Sequence, residues 1–329
     1  MTFIAQHDPT LLGDTPLLPA LEHIIPPAQI AAAVAAHTPP GSRRRKLFGD
    51  RLVTLLIAAF LLPMPALDHA LDLMMLSRHG HVPSGGGESP ATKGAISRAR
   101  RRWGTAPFVT LFRTVCRPLA TQEDADAWRF GLRVMAIDGT YEDVADTPEN
   151  AHVFGRHHNG KRASVFPLLH GVYLIECGTH VICDAVFAPC HSGERTLARR
   201  LLRSVTREML LLWDQGFHGY PMVAAARSCG AQVVCRIPFF QTIVPETALP
   251  DGSVLARLYA RAPSRRTRRT PFLRVRIITY TLDDDPRSQR ILTTLVDHTR
   301  RRTSDRHMPA RDRGRRHLSR TLGGGTGGG

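Results

Sequence analysis

The spacing of apolar positions changes near residue 125 of the chain. Before that point it is helical. Ile24 to Ala36 (IIPPAQIAAAVAA) predicts a helix with proline in its first turn. Leu52 to Leu62 reads as an apolar core helix, and Ala66 to Leu76 (ALDHALDLMML) as a further amphipathic one. Gly85-Gly86-Gly87 marks a flexible joint, after which Ser89-Pro90 opens a helix running to Trp103. Another helix is expected from Pro107 to Cys116. Residues 1–22 carry no period and are expected to form a loose leader, leaving a helical domain over 23–125.

Beyond it, short apolar runs replace the helical period. Strands are expected at 132–137, 164–175 and 180–187, followed by a helix over 193–205 that turns Leu197, Leu201, Leu202 and Val205 inward. Met209 to Trp213 (MLLLW) reads as a buried strand, Tyr220 to Ser228 as a helix closed by Gly230, and Ala231 to Ile237 as the next strand. Three strands, a helix, a strand, a helix and a strand is the order of a ribonuclease-H-like fold. Residues 243–297 add β structure, with a turn at Asp251-Gly252 and strands at 272–282 and 290–296. The expected fold class is therefore α/β. A helical N-terminal domain precedes a mixed-sheet domain over 126–298 with a β insertion, and residues 299–329 follow as a tail.

Two of the apolar runs end in an acid. Ile137 is followed by Asp138-Gly139-Thr140, and Trp213 by Asp214-Gln215-Gly216. Asp-Gly after a strand can mean only a turn whose carboxylate caps backbone amides. Two such aspartates in one α/β segment point further, to a divalent-metal site, because hard oxygen ligands suit Mg2+ or Mn2+ and an ion pair can activate a nucleophile and stabilise a leaving oxygen on phosphate.

Charge directs attention to the substrate. The chain of 329 residues carries a net charge of +16, to which residues 300–329 contribute nine arginines against Asp305 and Asp312. The rest remains basic, which favours a polyanion, with nucleic acid as the first expectation. Candidate phosphate contacts are the cluster Arg43, Arg44, Arg45 and Lys46, and Arg98, Arg101 and Arg102, which fall on one helical face by their i, i+3, i+4 spacing. A merely solvated face is the alternative for the second group. Six cysteines without a CxxC pair fit reduced thiols in a cytoplasmic protein, and Cys177, His180, Cys183, Cys190 and His191 lack the spacing of a zinc finger. The apolar run Leu52 to Leu62 is too short, at 11 residues, to cross a bilayer.

The ordered set RVMAIDGT, DTPENAHVFG, ECGTH, LLLWDQGF and LPDGS resembles the bacterial DDE transposases of the insertion-sequence-four family, and RRRKL and SRARRRWG resemble the N-terminal domain that accompanies that catalytic domain. The likeness runs over about 20–298. It implies two Mg2+ (or Mn2+) ions held by Asp, Asp and Glu. It also implies hydrolysis at the ends of an insertion element, then attack of the freed 3′-hydroxyl on target DNA by a nucleoid-associated protein that assembles as a homodimer on terminal repeats. Asp138 matches the first acid and Asp214 the second. Gln215 stands where the family has arginine. The family's third acid is a glutamate in a helix after the strand resembling ILTTLVD, yet this chain has no glutamate after Glu246. Residues 299–329 are arginine- and glycine-rich with no helical period, as a frameshifted end would be, and are expected to be disordered. The expectation is a transposase polypeptide that is inactive or severely impaired. The alternatives are a DNA-binding remnant and a metal-dependent nuclease using a substitute acid, for which Glu176 would have to face Asp138.

Overall fold

The computed structural model describes residues 17–42, 48–61, 92–158, 163–282 and 285–297. The expected helix at 66–76, the Gly85–Gly87 joint, the basic cluster Arg43–Lys46 and the tail over 299–329 lie outside these residues. The chain divides between Leu119 and Ala120, with Val181–Asp184 grouped with the first unit.

The first unit contains α1 (Leu17–Ile24), α2 (Pro27–Ala35), α3 (Gly49–Leu61), α4 (Lys93–Trp103) and α5 (Ala106–Val115). The single helix expected over 24–36 is broken into α1 and α2. Pro26 is extended, at φ −54° and ψ 136°, and Pro27 begins α2. Neither proline has an N–H to continue a helical ladder, and Pro27 pushes the residue before it out of the α region. Residues 17–22, placed in the leader by sequence, form most of α1 instead.

Thr92 caps α4 by accepting from the N–H of Ala95 at 3.2 Å, and Gly104, at φ 59°, ends the helix. Leu52 and Leu55 of α3 pack with Ile96 and Ala99 of α4, while Ile30, Ala33, Val34, Val53 and Leu111 form a second cluster. Trp103 packs against both, and Phe48 meets its ring edge-on at 5.2 Å. Gly49 is needed at the start of α3 because a Cβ there would lie 2.6 Å from Val34 Cγ1 and 2.9 Å from the Trp103 ring. Gly49→Ala is expected to destabilise this unit by about 1–3 kcal/mol through overpacking. A thermal melt followed by circular dichroism checks this, and an unchanged melt would show that the helices yield.

The second unit is built on a sheet of ten strands: β1 (Trp128–Arg129), β2 (Leu132–Asp143), β3 (Leu168–Glu176), β4 (Ile182–Pro189), β5 (Met209–Trp213), β6 (Gln232–Ile237), β7 (Val244–Ala248), β8 (Val254–Tyr259), β9 (Phe272–Leu282) and β10 (Asp285–Thr293). Their order is β4-β3-β2-β5-β6-β10-β9-β8-β7, with β1 paired to β2. Strands β2, β5 and β6 are mutually parallel, and β2–β3 and β6–β10 are antiparallel. MLLLW is apolar throughout because β5 has a strand on either side and is covered over its faces. Helices α6 (Pro148–Phe154), α7 (Glu194–Leu201) and α8 (Tyr220–Ser228) complete the unit. Leu197, Ala198 and Leu201 bury the inner face of α7, and Met222, Val223 and Ala226 that of α8.

The expected β structure over 243–297 is present and joins the main sheet through β10 and β6. The boundary falls at 119/120 rather than near 125 because Ala120 is already tied into the second unit. Its N–H donates to the Glu176 carboxylate at 2.9 Å, and its carbonyl accepts from the Arg133 guanidinium at 3.0 Å. Among the described residues, no helix is long and apolar enough to cross a membrane.

Candidate active site

Strand β2 is longer than its apolar run. It continues to Asp143, paired with β3 from Met135↔Glu176 to Asp143↔Leu168, so Asp138 lies within a strand rather than at its end. Towards β5, however, pairing stops at Ala136↔Leu212. Asp138 and Asp214 are each two residues beyond that last pair, and the strands are parallel. The same step along both strands therefore brings the two acids to one edge of the sheet and the same phase of the pleat.

Each aspartate also does what the local turn reading expects. Asp138 Oδ1 accepts from the N–H of Gly139 at 2.9 Å, and Asp214 Oδ1 from the N–H of Gly216 at 2.7 Å. Those bonds orient the carboxylates and leave each with a second oxygen.

A third acid reaches this edge that sequence reasoning overlooked. Glu194 is the first residue of α7, which packs on β2, β3 and the turn Gln215–Phe217. A Cβ on Gly139 would run into Glu194 Oε1. A Cβ on Gly216 would lie 3.5 Å from Glu194 Oε2 and 2.8 Å from Asp214 Oδ1. The two glycines thus leave the space that the glutamate occupies. Arg195 clamps α7 to the Asp214 turn, its Nε donating to the carbonyl of Gly216 at 2.6 Å. That hydrogen bond brings a guanidinium to the turn that carries Gln215. On the other side, buried His170 of β3 holds the loop before α7 through Nδ1 and the carbonyl of Ser192, 3.0 Å apart. A carbonyl only accepts, so this nitrogen carries the proton. The His170 ring stacks on Tyr141 at 4.4 Å.

Electrostatics follow from the geometry. Partial burial raises the Glu194 pKa above the usual carboxylate value, and the charges of Asp214 and Asp138 raise it further against the opposing pull of His170 and Arg195. Burial first, and then the Glu194 charge, also pushes up the phenol of Tyr141. Carboxylate oxygens are hard donors of the kind that suits Mg2+ or Mn2+. The side chains do not form a finished cage: among the described residues, no three His, Cys, Asp or Glu groups are close enough to hold an ion as they stand.

Glu176 is not part of this edge. It pairs with Met135 rather than Asp138, is fully buried, and is bound by the Arg133 guanidinium, the Thr179 hydroxyl and the N–H of Ala120. Of the candidate DNA contacts, Arg98, Arg101 and Arg102 are exposed on α4, opposite buried Ile96 and Ala99. Arg101 also lines a groove of about 550 Å3 with Leu56, Phe60, Arg100 and Phe108.

A helical unit followed by a mixed sheet whose adjacent parallel strands deliver acids to one edge is a ribonuclease-H-like α/β architecture. Residues 17–113, from the start of α1 into α5, match the family described as Insertion element 4 transposase N-terminal. The candidate transposase InsZ of Escherichia coli (strain K12) is 28% identical over 224 residues, covering 66% of this chain and 71% of its own length. The transposase InsG for insertion sequence element IS4, from the same organism, is 24% identical over 224 residues, covering 67% of this chain and 48% of its own length. These matches support a transposase of the insertion-sequence-four family.

Proposed function

We propose that the second unit carries DDE-type chemistry on DNA. In this reading Asp138 and Asp214 hold divalent metal, Mg2+ or Mn2+, at the ends of an insertion element, and the protein acts in the bacterial cytoplasm as a homodimer on terminal repeats. What supports the reading most is the equal offset of the two aspartates beyond Ala136↔Leu212. When bound, the ions would supply Lewis-acid stabilisation of charge on the phosphate oxygens. The backbone amides of Gly139 and Gly216 hold the two carboxylates in orientation, and Arg195 fixes the turn that carries Asp214. In the hydrolytic step a water oxygen bonds to phosphorus and the bond from phosphorus to the 3′ oxygen breaks. That oxygen leaves as a hydroxyl with a proton from the water, and the 5′ phosphate stays on the flank. Strand transfer then repeats the displacement with the 3′-hydroxyl as nucleophile.

A second reading is a DNA-binding remnant that occupies element ends without cutting, which the exposed arginines of α4 favour. Incubation with a terminal-repeat duplex and Mg2+ separates the two. Nicking at the repeat boundary supports the first, and retardation in a gel without nicking supports the second.

Arg98, Arg101 and Arg102 are proposed to contact DNA phosphates. Replacing Arg98 and Arg101 together with alanine is expected to weaken duplex binding about tenfold at moderate salt, and about equally for any sequence. The slope of log affinity against log salt should flatten by about 0.9 for each phosphate that the variant no longer neutralises. An unchanged slope would show that this face is only solvated.

A further inference from the structure

We propose that the loop between β8 and β9 is a phosphate-binding surface for double-stranded DNA, set apart from the acidic edge. This rests on the reading of the chain as a DNA-binding protein, not on that of the aspartates as metal ligands. Residues 252–282 contain eight arginines and no acid. Three of the eight lie on strands and have counterions, Arg257 and Arg274 in Glu246 and Arg276 in Asp251. The other five, Arg261, Arg265, Arg266, Arg268 and Arg269, fall within nine residues of the loop. Among the described residues none of those five has an ion pair. All but Arg266 are exposed.

A loop whose charges were merely solvated would need no fixed backbone, yet this one is held. The N–H of Ala260 donates to the carbonyl of Pro271 at 2.9 Å, closing the base of the loop, and the N–H of Arg265 donates to Ala262 at 2.9 Å. The N–H of Thr267 donates to the hydroxyl of buried Thr270 at 2.7 Å, and Arg266 Nε donates to the carbonyl of Arg261 at 3.2 Å. The guanidiniums are thus kept close together against their own repulsion, and a polyanion gains from an array already in place. Arg266 lies over the Tyr259 ring at 4.4 Å and Arg257 over Phe272 at 4.7 Å, while the two rings meet at 5.4 Å. Rings engaged in this way with arginine and with each other do not stand free as platforms for unpaired bases. Guanidinium forks suit phosphate oxygens, which a duplex presents along its whole length.

Trp213, Cys235, Leu292 and Ile277 are successive partners across β5, β6, β10 and β9. Strand β10 is antiparallel to both β6 and β9, so β9 runs with β5 and its first residue, Phe272, points away from Asp214. At about 3.3 Å per residue and 4.8 Å per strand, the loop is on the order of 20–25 Å from that carboxylate. It therefore grips duplex several base pairs from the acids and contributes to affinity rather than to chemistry.

The test is fluorescence anisotropy of a labelled duplex of arbitrary sequence, titrated with the full chain at several salt concentrations. Replacing Arg265, Arg268 and Arg269 together with alanine is expected to weaken binding at least tenfold at moderate salt. The slope of log affinity against log salt should flatten by about 0.9 for each phosphate released. The melting temperature should not change, since all three side chains are exposed and unpaired among the described residues. Affinity and slope equal to those of the parent would overturn the role of the loop and leave the α4 contact standing. A larger loss on a single strand of the same length than on the duplex would overturn the assignment to double-stranded DNA. No duplex binding by the parent would overturn the DNA reading itself and this inference with it.

Discussion

Asp138→Ala and Asp214→Ala are each expected to lower Mg2+-dependent nicking of a terminal-repeat duplex by about 10²–10³-fold while leaving DNA retardation intact. Removing one group that stabilises charge in the transition state costs about 3–4 kcal/mol, which corresponds to that range. The effect on folding should be small. Both aspartates are exposed, so neither truncation opens a cavity. Each gives up one local hydrogen bond to a backbone amide, worth about 1 kcal/mol, and relieves repulsion from the neighbouring carboxylates. Nicking rates at fixed Mg2+, measured alongside melting curves, therefore separate chemistry from stability. Persistent nicking in both variants would place the reaction elsewhere. Absence of nicking in every form, with binding retained, would make the remnant reading correct.

Arg133→Ala should show the opposite pattern, a large loss of stability that originates away from the candidate ligands. Its guanidinium bonds the fully buried Glu176 carboxylate, donates to the carbonyl of Ala120 and lies over the Trp128 ring, 4.5 Å from its centroid. Truncation removes the guanidinium from a buried carboxylate, and breaking a buried ion pair costs about 3–5 kcal/mol. For a unit of this size that is a fall in melting temperature of roughly 10 °C. Glu176→Gln keeps the shape and removes the charge, so its loss should be smaller. Equal stability of Arg133→Ala and the parent would mean that water or another cation compensates Glu176.

Much of this arrangement is readable in the residues. Strand β5 and helix α8 lie where the MLLLW run and the Tyr220–Ser228 pattern place them, because their apolar positions are also their buried ones. The two aspartates are visible as acids ending apolar runs. The extension of β2 to Asp143 is not, since its outer half is polar and is held by pairing with β3 rather than by burial. The split between α1 and α2 is present in Pro26-Pro27, but the pair reads as a helix start alone. Glu194 escapes sequence reasoning for a different cause. At the head of a helix an acid is the ordinary complement of the dipole, and nothing in linear spacing links position 194 to 138 and 214. Only the packing of α7 across β2 and β3 brings them together. The one hint is the order itself, an acid opening the helix that leads into the Asp214 strand.

The position of β10 has a consequence for biosynthesis. Strand β6 pairs with β5 on one side and with β10 on the other, through Val234↔Thr293 to Ile237↔Arg290. When β6 leaves the ribosome its second edge has no partner until some fifty further residues have been made. During that interval a nascent chain presents open backbone donors and acceptors beside the half-built acidic edge, and an unpaired strand edge is a template for association with other chains. In the folded chain β10 closes that edge, with β9, β8 and β7 ranked beyond it.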